Sequence, residues 1–125
     1  HFSNKKVYIY NNFNTKDGTC IRDYIHVNDI CDAVIKCLNH LTKMEKNHDI
    51  FNLGSQLGES SLSVLKKLTK MLGKKIIFNF KKKKVGEPNI LLASNNKAKK
   101  ILNWRIKKRM INILKDSIFW EKYIG

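Results

Sequence analysis

Residues 17 to 29 read Asp17-Gly18-Thr19-Cys20-Ile21-Arg22-Asp23-Tyr24-Ile25-His26-Val27-Asn28-Asp29, and the pattern changes inside this run. Asp17-Gly18 closes a loop from Asn11 to Gly18 that is rich in Asn, Asp, Thr and Gly, the residues that tolerate turn geometry. Thr19 to Val27 is less regular and reads as extended. Asn28 then offers a helix N-cap, and Asp29 and Asp32 suit the positive end of a helix dipole. Ile30, Ala33, Val34, Cys37, Leu38 and Leu41 recur at helical spacing, so a helix is predicted over Asp29 to Lys43. A loop, an extended segment and an amphipathic helix in succession form one α/β unit.

The alternation continues outward. Upstream, Val7-Tyr8-Ile9-Tyr10 is a β-branched and aromatic run, so a strand. Downstream, Asn47 to Asp49 breaks the helical pattern, Ile50 to Leu53 reads as a second strand, and Gly54 to Gly58 as a turn. Ser60 can cap a helix carrying Leu62, Leu65, Leu68, Met71 and Leu72, with Gly73 as its stop. Lys75 to Phe80 reads as a third strand, and Lys81 to Asn89 as a charged loop holding the only proline, Pro88. A short helix is predicted from Asn95 or Asn96 to Leu102, and a last one from Lys108 to Tyr123. Alternating strands and helices define an α/β chain. No internal repeat or Gly/Ser linker divides its 125 residues, a length for one domain.

The formal charge is +15, from 25 basic and 10 acidic residues. Such a balance raises the question of a polyanion. Nearly all the cations are Lys, and Arg occurs only at positions 22, 105 and 109. Lys, Asn and Ile are what AT-rich codons supply, so the charge reads as a solvated surface; scarce Arg also argues against dedicated nucleic-acid reading. The rival reading is a small basic nucleic-acid-binding domain, supported by Lys81 to Lys84 beside Phe78 and Phe80. Three unpaired cysteines, Cys20, Cys31 and Cys37, fit a reducing cytoplasm. No apolar run approaches the ~20 residues of a membrane span, so no membrane partner is expected. The chain starts at His1 rather than Met, which fits a piece of a longer polypeptide.

Candidate chemistry is sparse. The Gly54 to Gly58 loop has two glycines and comes late, which argues against a dinucleotide cradle. The histidines lack metal-ligand spacing; His26 reads as a hydrogen-bonded packing residue. Arg22 stands out. A guanidinium is a rigid fork that can hold a phosphate through two hydrogen bonds. An internal ion pair to Asp23 or Asp29 is an equal alternative at this point.

DGTCIRDYIHV closely resembles the UDP-glucose 4-epimerases of the extended short-chain dehydrogenase/reductase family. Phe51-Asn52-Leu53-Gly54 resembles that family's YNLG strand, Lys97 to Trp104 its SKAKKELGW segment, and Phe119-Trp120 its closing helix. The likeness covers nearly everything from Val7 onward. It implies the carboxyl-terminal, substrate-binding lobe plus the last helix-strand unit of a Rossmann-type enzyme. Residues 28–54 would pack on a missing NAD-binding half; residues 1–27 and 55–125 would form the nucleotide-sugar lobe. Such enzymes invert C4 of a UDP-hexose through a 4-keto intermediate, using NAD and a Tyr-x-x-x-Lys pair. Neither that pair nor the NAD glycines are in this chain, so no catalytic, cofactor or metal residue is expected within it.

The implied substrate residues are Val7, Tyr8 and Ile9 along the uracil, Arg22 on the diphosphate, and Lys84, Val85, Gly86 and Glu87 in place of the family's R-x-G-D loop. There the basic residue meets phosphate and the acid takes the ribose hydroxyls. The implied partner is UDP-glucose or UDP-galactose, and the full-length protein would be a homodimer. The chain departs from the family at Lys84 for Arg, Glu87 for Asp, Gln56 for Gly and Ser94 for Asp.

Overall fold

The computed structural model describes residues 6–43 and 48–124. Strand β1, Val7–Asn11, starts the chain and β2, Ile21–Arg22, follows the Asn-rich loop. Helix α1 spans Val27–Leu41. A two-residue strand, β3 at Glu59–Ser60, leads directly into α2, Ser61–Leu72. Strands β4, Phe78–Lys82, and β5, Ile90–Leu91, precede α3, Asn96–Leu102, and α4, Met110–Ile124.

Among the described residues the strands form two small sheets. β1 and β4 pair in parallel, Val7 opposite Phe78 and Asn11 opposite Lys82. β2 lies between β3, antiparallel, and β5, parallel. The mixed α/β architecture agrees with the alternation read from the sequence. Several boundaries do not. The helix starts two residues early because the His26 ring, not Asn28, is the cap: its Nδ1 accepts from the Asn28 amide at 3.1 Å, and its carbonyl accepts from Asp29 and Ile30. The strand expected at Ile50 to Leu53 is not one here. A strand needs a ladder partner, and this segment finds none among the described residues; Phe51 and Leu53 instead lean on the core. The third strand lies at Phe78–Lys82 rather than Lys75 to Phe80, because β1 offers pairing partners there and because Gly73 ends α2 in the left-handed conformation at φ 62°. The proposed break beginning at Asn47, and His1, lie outside the described residues.

The core is small and centres on Trp104. Ala33, Ala98 and Trp104 are fully buried, Leu102 nearly so, with Ile25, Cys37, Phe51, Leu53 and Ile106 packed against them. The indole Nε1 donates to Asp29 O at 2.8 Å, which satisfies its one polar group inside the core. Asp29, also buried, accepts from the Lys107 and Lys108 amides at 3.1 and 3.0 Å and so fixes the approach to α4. His26 completes the tie: its Nε2 lies 2.9 Å from Asp116 on α4. With Nδ1 accepting, Nε2 carries the proton and donates to that carboxylate. The packing role expected for His26 is the one it has.

The opposite face of α1 is uncovered. Val27, Ile30, Val34, Leu38 and Leu41 form a stripe at three- and four-residue spacing, and all are exposed.

Candidate functional site

The site is built around the carboxyl end of β1, the short strand β2 and the loop after β4. Lys83 N donates to Asn11 O at 3.1 Å, extending the β1–β4 pairing by one step. Lys84 to Glu87 then make a tight turn: Glu87 N approaches Lys84 O at 3.4 Å, and the Glu87 carboxylate reaches back to accept from Lys84 N at 3.3 Å. Gly86 sits third in this turn at φ 84°, the position that needs a left-handed residue in a type II turn. Val85 at its tip is fully exposed. The chain next runs through Pro88 to Asn89, whose carbonyl accepts from Ile21 N at 2.9 Å and hands over to β5 beside β2.

Arg22 lies where these segments meet. Its Nη1 donates to Ile21 O at 2.9 Å and to Pro88 O at 3.1 Å. The loop carrying Glu87 is therefore tied to the guanidinium itself, through the carbonyl of the next residue, Pro88. The ion-pair alternative for Arg22 fails. Among the described residues it makes no salt bridge, and both candidate acids are committed elsewhere. Asp29 serves the Lys107 and Lys108 amides. Asp23 accepts from Ser55 N at 2.8 Å, Ser55 Oγ at 2.5 Å, Ala93 N at 3.0 Å and Gln56 N at 3.3 Å. Burial pushes the Asp23 carboxyl up, but these donors outweigh it and hold the group below the usual Asp range. With Nη1 saturated by two carbonyls, the guanidinium keeps its Nε–Nη2 edge, a pair of parallel donors suited to a phosphate.

Val7, Tyr8 and Ile9 lie on β1, with alternating faces as a strand requires. Ile9 is buried at 6% exposure, while Tyr8 faces the other way beneath Lys81, whose Nζ is 3.8 Å from the ring centroid. β1 pairs only with β4 among the described residues, so its second backbone edge is unpaired. No hydrogen bond or ion pair joins Val7, Tyr8 or Ile9 to Arg22 among the described residues. The link is Phe13, a buried ring just past β1 with the Arg22 guanidinium carbon 5.9 Å from its centroid. Phe13, Lys83 and Asn89 were not singled out in the sequence. The period-two alternation of β4 was the available signal, since it puts Lys81 and Lys83 on one face.

A separate cavity of about 720 Å³ opens between α2 and the start of α4, with Tyr24, Lys70, Met71 and Arg109 in its walls. It contains none of the implied substrate residues. The Gly54 to Gly58 loop does not offer a dinucleotide cradle. A side-chain carbon at Gly54 would collide with Asp23, and one at Gly58 would press on Ile21 at 2.8 Å, so this loop is packed against protein rather than open to a pyrophosphate.

Residues 2–54 match the NAD dependent epimerase/dehydratase family. The model superimposes on Rossmann-type extended short-chain dehydrogenase/reductase epimerases over most of the chain; against a UDP-glucose 4-epimerase from Bifidobacterium longum in complex with NAD+ and UDP the TM-score is 0.85, with 30% identity, covering 95% of this chain and 35% of that one. More particularly, the chain resembles UDP-glucose 4-epimerases in sequence. The enzyme of Lactobacillus helveticus is 36% identical over 111 residues, covering 88% of this chain and 33% of the relative. That of Streptococcus mutans is 38% identical over 102 residues, covering 81% and 30%. The chain thus spans about a third of the length of the curated relatives it matches.

Proposed function

We propose that these 125 residues are the nucleotide-sugar-binding portion of a UDP-glucose 4-epimerase, an isomerase that interconverts UDP-glucose and UDP-galactose through an NAD-dependent 4-keto intermediate. The observation that carries the reading is Arg22: a guanidinium held by two carbonyls, without a carboxylate among the described residues, and tied to the loop that bears Glu87. In this reading the Arg22 fork takes the diphosphate, with Lys84 adding charge. The Glu87 carboxylate accepts from the ribose diol, Gly86 lets the backbone approach, and the unpaired edge of β1 at Val7, Tyr8 and Ile9 lies along the uracil.

NAD and the Tyr-x-x-x-Lys pair belong, in the same reading, to polypeptide outside these residues, as the threefold greater length of the relatives supports. This chain derives no step through NAD; its part is to hold and orient the nucleotide so that the hexose is presented to the other half. The bare stripe of α1 supports a further division, in which residues 28–54 dock on the NAD-binding half and residues 1–27 and 55–125 form the substrate lobe. The full-length protein is proposed to be a cytoplasmic homodimer with no nucleic-acid or membrane partner.

Calorimetric titration with UDP tests the core of this. Saturable one-site binding is expected, weakened by about ten- to a hundredfold in Arg22→Ala, the loss of one charge-assisted contact pair. Duplex DNA should not compete at physiological salt. Equal UDP affinity in wild type and Arg22→Ala, or displacement of UDP by generic DNA, would overturn the reading.

A further inference from the structure

The four-lysine run Lys81 to Lys84 is not one solvated patch. Strand pairing of β4 with β1, continued by Lys83 N to Asn11 O, sends alternate side chains to opposite faces. Lys81 lies over Tyr8 and Lys83 over Phe13, its Nζ 5.2 Å from the ring centroid. Lys84, the residue that aligns with the family's basic position, is exposed, and only its backbone is engaged among the described residues, by Glu87.

Lys83 is half-buried, and its Nζ donates to Asn89 Oδ1 at 3.3 Å. The same oxygen accepts from Asn14 N at 3.0 Å, so one side chain ties the Phe13 loop to the loop after β4. Arg22 and Lys83 thus both lie within 6 Å of the one Phe13 ring. Neither forms an ion pair among the described residues. Each cation is held at the ring by its own cation–π attraction, and an anion that reaches both would gain from two positive charges.

We infer that Lys83, rather than Lys84, supplies the second positive charge to the diphosphate, and that Phe13 is the positioning residue that holds Arg22 and Lys83 together. The inference rests on the nucleotide-site reading given above and replaces Lys84 in it with the preceding lysine. Lysine in place of an arginine at position 84 then matters little, because the charge is delivered from the preceding residue by the alternation of the strand.

The test compares UDP and uridine binding, by NMR titration, in the wild-type 125-residue chain and in Lys83→Gln, Lys84→Gln, Phe13→Leu and Phe13→Tyr. Lys83→Gln should weaken UDP about tenfold while leaving uridine unchanged, since one charged contact is worth roughly that factor. Lys84→Gln should weaken UDP by less than about threefold, as an exposed charge does. Phe13→Leu should weaken UDP as Lys83→Gln does and Phe13→Tyr should restore it, a pattern that mere loss of packing would not give. An effect of Lys84→Gln equal to or greater than that of Lys83→Gln overturns the inference and leaves the site reading standing. So does a parallel loss of uridine and UDP binding in Lys83→Gln. If the wild-type chain binds no UDP, the site reading falls and this inference with it.

Discussion

Gly54→Ala is the sharpest probe of how Arg22 is positioned. Gly54 is buried under the Asp23 carboxylate, and its φ is not positive, so alanine can adopt its backbone conformation. Considered locally, the substitution should stabilise by about 0.4–1 kcal/mol through the unfolded chain. The surroundings reverse the sign. The new methyl would collide with Asp23 Oδ2 and meet Ala93 Cβ at 2.8 Å. Neither is the free end of a long side chain: Asp23 is pinned by four hydrogen bonds, and Ala93 donates one of them. Overpacking of this kind costs about 1–3 kcal/mol. Displacing Oδ2 also weakens the bond from Ala93 N, a charge-assisted contact worth about 1.5–3 kcal/mol when fully lost. The expected net loss is roughly 2–4 kcal/mol.

Urea denaturation followed by circular dichroism measures it, with Gly73→Ala as the reference. Gly73 has φ 62° and nothing within 4 Å of its missing side chain, so that variant carries conformational strain alone, about 1 kcal/mol. A double-mutant cycle tests the cause: in an Asp23→Ala background the Gly54→Ala penalty should fall by at least about 1 kcal/mol, because the colliding oxygen is gone and only the Ala93 contact remains. A Gly54→Ala loss no larger than that of Gly73→Ala, or a penalty unchanged by Asp23→Ala, refutes the reasoning.

Acid should act through the same carboxylates. Asp17 and Asp23 are pushed up by burial but brought below the usual Asp range by hydrogen bonds, from Ser60 and Thr19 in one case and Ser55, Ala93 and Gln56 in the other. A depressed native value means the stabilisation is present above the unfolded-state Asp value and is lost as pH falls through the native one. The urea midpoint should therefore hold from neutral pH to about 5 and drop below about 4, with a smaller drop in Asp23→Asn; equal drops would exclude Asp23 as a contributor. The bare stripe of α1 gives the remaining prediction: Val34→Lys with Leu38→Glu should raise the concentration at which the chain stays monomeric in light scattering, with an unfolding midpoint within about 0.5 kcal/mol of wild type. A loss of stability comparable to that of a core substitution would mean the stripe is packed.

What was legible in the sequence divides along physical lines. α1, α2 and α4 were readable because helical periodicity is local, and Ser60 and Gly73 cap α2 as their chemistry dictates: Ser60 Oγ accepts from Ser63 N at 3.1 Å, and Gly73 takes the left-handed turn. The two-residue strands β3 and β5 were not legible, because nothing in Glu59–Ser60 or Ile90–Leu91 announces pairing; β2 recruits them from far along the chain, pairing Ile21 with Ser60 and with Ile90. The strand expected at Ile50 failed for the converse reason: apolar composition signals burial, and strand structure needs a partner as well. At the site, Arg22 was legible as a rarity among lysines, but its partner was not. The choice between Lys83 and Lys84 is a matter of tertiary placement: Lys83 continues the pairing with β1 by one step and reaches Phe13 and Asn89, while Lys84 opens the turn to Glu87.

The departure at Gln56 follows the same logic. It occupies a left-handed conformation, φ 61°, where a side chain is strained by about 1–2 kcal/mol, and the family's usual glycine would not be. Here the strain is held in place by the Asp23 carboxylate, which takes the Ser55 and Gln56 amides together, and by Lys99 Nζ donating to Gln56 Oε1 at 2.9 Å. The chain has ten acidic residues against 25 basic ones, and three of those acids, Asp17, Asp23 and Asp29, are spent holding backbone amides. Carboxylates that staple segments together cannot also neutralise arginine. The absence of an ion pair to Arg22 among the described residues is thus a consequence of how the small core is braced: the acids nearest to it in sequence point inward, toward amides.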